Sequence, residues 1–112
     1  MKVDILSEGP VSPNFAAANA AVSCVFCASA QLQDAGLLCL YRAGAGKHST
    51  GGKFVAQRSD DMGQTWSDPI DVFDGSGRSP VWVASMPGVC QTRSGRVIAS
   101  LGVMEGLGAN QH

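Results

Sequence analysis

Charge is scarce in this chain. Of its 112 residues, 15% are Asp, Glu, Lys or Arg, and the net charge at pH 7 is −1. So little net charge argues against nucleic-acid binding through bulk electrostatic attraction, and we expect no nucleic-acid partner. Apolar runs are also short, and none reaches the roughly 20 residues that cross a bilayer, so we expect no membrane insertion. The composition is typical of a soluble globular chain that buries one modest core.

The N-terminal segment MKVDILSEGP lacks the features of a secretory signal. It carries a single lysine, and Asp4 and Glu8 interrupt its apolar positions. A signal peptide instead has a basic start followed by an uninterrupted apolar stretch. If Met1 is the native start, this pattern predicts a cytoplasmic protein.

Cysteine spacing gives no clear metal or redox signature. Cys24 and Cys27 form a C-x-x-C, but neither a second such pair nor paired histidines follow, and Cys39 and Cys90 stand apart. Zinc and redox sites of known type need more than one such pair or a specific context. We therefore predict buried, reduced cysteines on apolar segments, with no metal site and no cofactor.

The predicted fold class is all-β. Helix formers such as Glu and Lys are scarce, and the 14 glycines favour strands joined by turns. Apolar patterns predict strands in KVDIL, LLCLYRAG, KFVAQRS, TWSDPIDVF, VWVASM and RVIASLGV. The run LLCLYRAG is typical of a strand buried on both faces. The alanine-rich segment 15–32 fits a helix as well as a strand.

Two stretches of the sequence resemble each other. QDAGLLCLYRAG and TRSGRVIASLGV each place polar residues and a glycine before an apolar strand. Their glycines, Gly36 and Gly95, lie 95 − 36 = 59 positions apart. That spacing is somewhat above the roughly 40–50 residues of a propeller blade. The likeness indicates that a second unit begins near the end of the chain.

The segment SDDMGQTW lies between two predicted strands and has the residues of a tight turn. The Asp61 carboxylate can accept backbone N–H bonds within the turn, and Gly63 can adopt a positive φ. Ser59 and Thr65 stand at the strand ends, where their hydroxyls can bind the same loop. Trp66 supplies a large apolar side chain that anchors the turn.

Catalytic, calcium-binding and phosphate-binding interpretations of these loops are weaker. Asp60 and Asp61 are adjacent, and neighbouring strand residues point to opposite faces, which disfavours a catalytic acid pair. The spacing of a calcium loop is absent. GAGKHST imitates a phosphate-binding loop, but Tyr41 occupies the position of its first glycine and a predicted strand replaces the helix.

The same turn carries a family resemblance. The pattern S-x-D-x-G-x-T-W is matched at all five specified positions, which are Ser59, Asp61, Gly63, Thr65 and Trp66. It resembles the Asp-box of bacterial-neuraminidase (BNR) repeats, and these five residues are called the Asp-box below. The following SDPIDVF is similar to the usual continuation of that repeat. In the family the Asp-box is a folding device at the outer hairpin of a blade, remote from the active site.

The resemblance implies an antiparallel blade of a sialidase-like β-propeller of about six blades of four strands. Residues 1–112 would form part of such a propeller, with the best-defined blade at about 34–73 and a second blade beginning at about 88. A single blade leaves both of its sheet faces uncovered. We therefore expect self-association that completes a ring or covers the exposed faces.

The resemblance also implies where catalytic residues would lie. A sialidase uses three arginines to bind the substrate carboxylate, an Asp acid/base, and a Tyr nucleophile assisted by Glu, because an anionic sugar and a cationic transition state need fixed charges. The family's first arginine falls where this chain has FCAS, and the acid-bearing loop is AGAGKHSTGG, without a carboxylate. No catalytic residue is assigned. Arg42 and His48 are candidates for substrate binding. The alternative for Arg42 is an ordinary ion pair at the end of a strand, and the alternative for His48 is a solvated position in the loop. Tyr41 is predicted to pack in the core.

Two functions follow from the resemblance. The first is a fragment of an exo-α-sialidase-like glycoside hydrolase that is not expected to be catalytically competent alone. The alternative is a non-catalytic BNR-repeat module that binds carbohydrate or protein, since Asp-boxes also occur in propellers with other tasks. A small all-β domain whose Asp-box is only a turn is the third interpretation. In the first two cases the partner is a sialoside-like sugar or another glycan.

Overall fold

The computed structural model describes residues 3–5, 8–9, 11, 23–45, 52–75, 81–83 and 87–105. Within these ranges the chain is all-β: it has antiparallel strands and no helix, as predicted from the sequence. Accordingly, the described residues include no helix with the length and apolar character needed to cross a bilayer.

Four strands form one antiparallel sheet in sequence order: β1 (Ser23–Gln31), β2 (Leu37–Gly44), β3 (Lys53–Ser59) and β4 (Ile70–Asp74). The predictions for β2 and β3 are confirmed, and β2 is largely buried on both faces, as its apolar run indicated. The third predicted strand is shorter than expected, because β4 begins only after Pro69. Proline has no N–H to donate to a ladder, so it fits before the strand.

The segment 15–32 is a strand where it is described, in β1, and residues 15–22 lie outside the described residues. The prediction for KVDIL is wrong at residues 3–5, which are not in a strand and expose Val3 and Ile5. The alternation there consists of only two apolar residues, which is too few to identify a strand. Residues 46–51 of the loop AGAGKHSTGG also lie outside the described residues.

Four shorter strands follow: β5 (Val81–Val83), β6 (Gly88–Gln91), β7 (Val97–Ser100) and β8 (Val103–Glu105). β6 pairs with β7, and β5 pairs with β8, both antiparallel. The pair β1–β2 with its turn is called the first hairpin below, and the pair β6–β7 with its turn is called the second hairpin. β6 was not predicted, because its four residues start with a glycine and contain too few apolar positions to show a period.

The turn that joins β1 to β2 and the turn that joins β6 to β7 have the same backbone hydrogen bonds. In the first turn, Leu32 N–H donates to Gly36 O (2.7 Å) and Ala35 N–H donates to Leu32 O (2.9 Å). The second turn repeats both bonds, at 2.8 and 2.9 Å. Ala35 and Gly95 both adopt a positive φ, of 69° and 92°. The structure therefore aligns Gly95 with Ala35 instead of Gly36, and the offset is 95 − 35 = 60 residues.

Each face of the four-stranded sheet carries its own apolar cluster. Leu40 and Phe54 are buried on one face, where Val89 of the second hairpin and Leu101, directly after β7, pack against them. The other face buries a second group, with Val11 against it. The members of this second group are Tyr41, Ala43 and Val55. The second hairpin thus covers the face that bears Leu40 and Phe54.

Candidate functional site

The Asp-box forms the turn between β3 and β4, as the sequence predicted. Met62 and Gly63 both have positive φ angles, of 60° and 89°. A glycine tolerates this conformation without steric cost, whereas a side chain at Met62 is held there against its preference. Met62 accordingly points to solvent and is exposed. Two consecutive positive φ angles reverse the chain within a few residues.

The Asp61 carboxylate is the hydrogen-bond acceptor at the centre of the turn. Its Oδ1 accepts the Thr65 backbone N–H (2.8 Å) and the Ser59 hydroxyl (2.8 Å). Its Oδ2 accepts the Thr65 hydroxyl (2.5 Å). Bonds to an ionised acceptor are stronger than bonds between neutral groups. Asp61 thereby joins the end of β3 to the chain that leads into β4.

Ser59 completes the turn from the other side. It is 1% exposed, and its Oγ accepts the Gly63 N–H (2.8 Å) and, at 3.4 Å, the Asp61 N–H while donating to the Asp61 carboxylate. Two backbone donors of a reversed loop, which strand pairing cannot satisfy, therefore find an acceptor. The predicted roles of Ser59, Asp61, Gly63 and Thr65 in the turn agree with this geometry, and Trp66 beside them is half-buried.

These bonds fix the charge state of the turn. The Thr65 hydroxyl, the Thr65 N–H and the Ser59 hydroxyl stabilise the ionised carboxylate and lower the pKa of Asp61 from 3.8 to about 2. A general acid needs a proton to give near its working pH, so a depressed pKa suits a structural anion. Asp60 has a different partner, the Arg58 guanidinium at 2.8 Å. The two carboxylates do not act as a pair.

The depressed pKa predicts how stability depends on pH. Because the pKa of Asp61 is lower in the folded chain, its contribution is fully present above the unfolded value of 3.8 and is lost as pH falls through about 2. We expect the free energy of unfolding of the wild type to fall between about pH 4 and pH 2, and Asp61→Asn to be less stable at neutral pH but flatter across that window. Urea titrations at several pH values measure this.

The control for this prediction is Asp68→Asn, which removes an exposed carboxylate just beyond the turn. It is expected to keep the wild-type pH profile. An Asp61→Asn variant as steep as the wild type between about pH 4 and pH 2 would show that the turn does not hold the carboxylate as described.

A buried polar chain supports the turn from the sheet. The Tyr41 hydroxyl donates to Gln57 Oε1, and Gln57 Nε2 donates to Ser67 O (2.8 Å) and Val11 O (3.3 Å). Both side chains are buried, and the amide uses its oxygen and both N–H groups. The prediction that Tyr41 packs in the core is confirmed. Gln57 was not predicted as a buried polar residue. Its position two residues after Val55 places both side chains on the same face of β3, which could have indicated burial.

Arg58 links the Asp-box turn to the first hairpin turn. Its Nη2 lies 2.7 Å from Asp34 Oδ2, and its Nε lies 2.8 Å from Asp60. The hydrogen bond from Arg58 lowers the pKa of Asp34, and the bond to Asp34 raises that of Arg58. Both carboxylates are exposed, so solvent screens these pairs and they orient the loops more than they stabilise them. A Cβ at Gly36 would displace the Arg58 guanidinium.

The structure places Arg42 in the interior of the sheet. It pairs with Val25 of β1 and Phe54 of β3, and its side chain is 0% exposed. Burial lowers its pKa. Gly52 lies directly against the guanidinium, where any Cβ would overlap it. His48, the other substrate-binding candidate, lies outside the described residues.

The prediction of buried cysteines is wrong. Cys24, Cys27 and Cys90 are exposed and Cys39 is half-buried, all as free thiols. β1 is the outermost strand of its sheet, so an apolar sequence there does not imply a covered side chain. Burial, with a smaller effect of Cys27, raises the pKa of Cys39, which keeps it a thiol.

Among the residues that the structure describes, no three His, Cys, Asp or Glu side chains are grouped to hold a metal ion. Comparisons of the chain with protein-family models, curated proteins and solved structures find no match.

Proposed function

We propose that this chain is part of a sialidase-like β-propeller, with a blade at about 34–73 and the next blade from about 88. The observation that supports it is the bonding of Asp61, whose two oxygens bind Ser59 and Thr65 at the positions that the Asp-box pattern specifies. A four-stranded antiparallel sheet followed by a hairpin with the same turn hydrogen bonds also supports the proposal, because a propeller repeats four-stranded antiparallel sheets.

Within that proposal, the chain is a fragment of an exo-α-sialidase-like glycoside hydrolase that is not catalytically competent alone. Cleavage of a sialoside needs a cluster of cations for the sugar carboxylate, and carboxylates near the scissile bond. The Asp61 carboxylate is bound within the turn, and the Tyr41 hydroxyl is a donor to Gln57. These residues build a blade, and the reacting groups would come from other blades.

The second candidate is a non-catalytic BNR-repeat module that binds a glycan or a protein. The burial of Arg42 against Gly52 favours it, because a guanidinium that no solvent reaches does not receive a sugar carboxylate. The loop that contains His48 would then supply contacts that need no catalytic set.

Fluorophore release from a synthetic sialoside tests the first candidate. We expect no turnover by the folded chain, because the proposal assigns the cations that bind the sugar carboxylate, and the carboxylates near the scissile bond, to other blades. Release that scales with protein concentration, and that persists through successive purification steps, would overturn the statement that the chain is not competent alone.

Binding of the same folded sample to immobilised sialylated glycans tests the second candidate. The module predicts saturable binding that His48→Ala weakens. The chain has two histidines, and His112→Ala is the matched control that leaves binding unchanged. Absence of binding, or equal loss in both variants, rejects a glycan site in this loop.

A further inference from the structure

The two hairpin turns are joined by a specific contact. Gln33 N–H donates to Gln91 Oε1 (2.7 Å), and Gln33 Nε2 donates to Thr92 O (2.8 Å) and Arg93 O (3.3 Å). Gln91 Nε2 in turn donates to Gly95 O (3.0 Å) within its own turn. The first turn is thus the donor and the second turn the acceptor. This set of bonds is called the inter-turn contact below.

The inter-turn contact joins different surfaces of two equivalent turns. With the offset of 60 residues, Gln31 is the equivalent of the acceptor Gln91, and Arg93 is the equivalent of the donor Gln33. Both Gln31 and Arg93 are exposed. The chain therefore carries a free acceptor end at its first turn and a free donor end at its second turn.

The strands on either side of the two turns also differ in which equivalent residues are covered and which are exposed. Val89 lies on the face of the second hairpin that packs against the first sheet, and its equivalent, Ser29, is exposed. Ile98 pairs with Cys90, so it lies on the opposite face, and it is 48% exposed. Its equivalent, Leu38, shares the face of Leu40 that the second hairpin covers. The donor end is therefore the apolar end.

We propose that a second copy of this chain binds head to tail at this donor end. The first turn of the incoming copy lies beside the second turn of the first copy and repeats the inter-turn contact between molecules. Gln31 of the incoming copy accepts the Arg93 N–H, and the Arg93 guanidinium takes the place of the Gln33 amide. Ile98 is covered by the exposed surface of β1 at Ser29, on the same sheet face as Gln31.

The chain's own surfaces are the reason for choosing a second copy as the occupant. The turn residues of both halves of the inter-turn contact, Gln31 in the first turn and Arg93 in the second, remain exposed. Asp34, exposed in the receiving turn, adds a carboxylate where the Arg93 guanidinium arrives. Because the two surfaces differ, the contact is heterologous, and repeating it gives a closed ring or an open filament. The inference rests on the internal repeat and is independent of sugar binding.

Sedimentation velocity of the full chain, from low micromolar to millimolar concentration, tests the proposal. The average mass is expected to rise above that of the monomer with concentration. Gln31→Ala removes one acceptor and is expected to raise the dissociation constant about 5–10-fold, the effect of one hydrogen bond. Ile98→Lys places a charge in the contact and is expected to raise it by at least as much. Both positions are exposed, so the fold is retained.

Mixing the two variants distinguishes a heterologous contact from a symmetric one. The donor end of the Gln31→Ala copy and the acceptor end of the Ile98→Lys copy are both intact. The mixture is therefore expected to form a dimer with wild-type affinity and to stop there. Failure of the mixture to associate would overturn the head-to-tail arrangement.

Ile70→Lys is the matched control for the apolar position. Ile70 is 66% exposed on β4, away from both turns. It is expected to leave the dissociation constant unchanged. A chain that stays monomeric at every concentration overturns the proposal, and so does association that Ile70→Lys abolishes while Ile98→Lys leaves it intact.

Discussion

Phe54→Ala is expected to lower the free energy of unfolding by about 3–5 kcal/mol, the usual cost of removing a fully buried aromatic ring. Phe54 is 0% exposed near the start of β3, opposite Arg42 and Phe73 in the neighbouring strands. It packs on Leu40 beneath the second hairpin, so its ring holds the two hairpins together as well as the sheet. Denaturant titration followed by circular dichroism measures the loss.

The control is Ile70→Ala on the exposed side of β4. Ile70 is 66% exposed, so its truncation is expected to change stability by no more than about 0.5 kcal/mol. If Phe54→Ala leaves too little native protein to titrate, Phe54→Leu is expected to give a smaller, measurable loss. Equal stability of Phe54→Ala and Ile70→Ala would contradict the core described for this sheet.

Ser59→Ala is expected to lower the free energy of unfolding by about 1–3 kcal/mol, the range for leaving buried polar groups without partners. Its hydroxyl accepts the Gly63 N–H and donates to Asp61, and no water reaches its oxygen because the residue is 1% exposed. The pKa of Asp61 is expected to rise in the same variant, since one of the bonds to its ionised form is gone.

Ser29→Ala is the matched control, since Ser29 is an exposed serine on β1. It is expected to leave both stability and the pKa of Asp61 unchanged. A Ser59→Ala variant as stable as Ser29→Ala would mean that the turn is held by the backbone of β3 and β4 alone.

The parts of the fold that the sequence predicted are those encoded by local chemistry. β3 has the bounds expected from KFVAQRS, because strong strand formers are flanked by a glycine loop and a turn. The Asp-box turn was predicted for a related reason. Asp61 and Ser59 bind groups within a few residues of themselves, so their partners are already present in the sequence pattern.

The parts that were missed depend on contacts far apart in the chain. Gln33 and Gln91 look like ordinary surface residues in the sequence, yet they join two turns about 60 positions apart. Cys24 and Cys27 were mispredicted because β1 is an outer strand, which its own residues do not reveal. Arg42 lies at the end of the apolar run LLCLY in β2, so its strand was predicted. Whether its guanidinium contacts solvent depends on distant residues such as Gly52, which packs against it.

The internal repeat was likewise predicted in part and missed in part. The likeness of QDAG and TRSG was visible in the sequence, but matching glycine to glycine gave an offset one residue too short. The backbone corrects this, because the positive φ belongs to Ala35 in the first turn and Gly95 in the second. A non-glycine residue in that conformation is uncommon, so the sequence alone gave no reason to place it there.

An NMR titration that follows the side-chain carboxyl carbon of Asp61 measures whether Thr65 and Ser59 hold this carboxylate ionised within the turn SDDMGQTW. We expect a pKa of about 2. A value at or above the ordinary 3.8 would contradict it, because the carboxylate would then not be bound by the groups that define the turn.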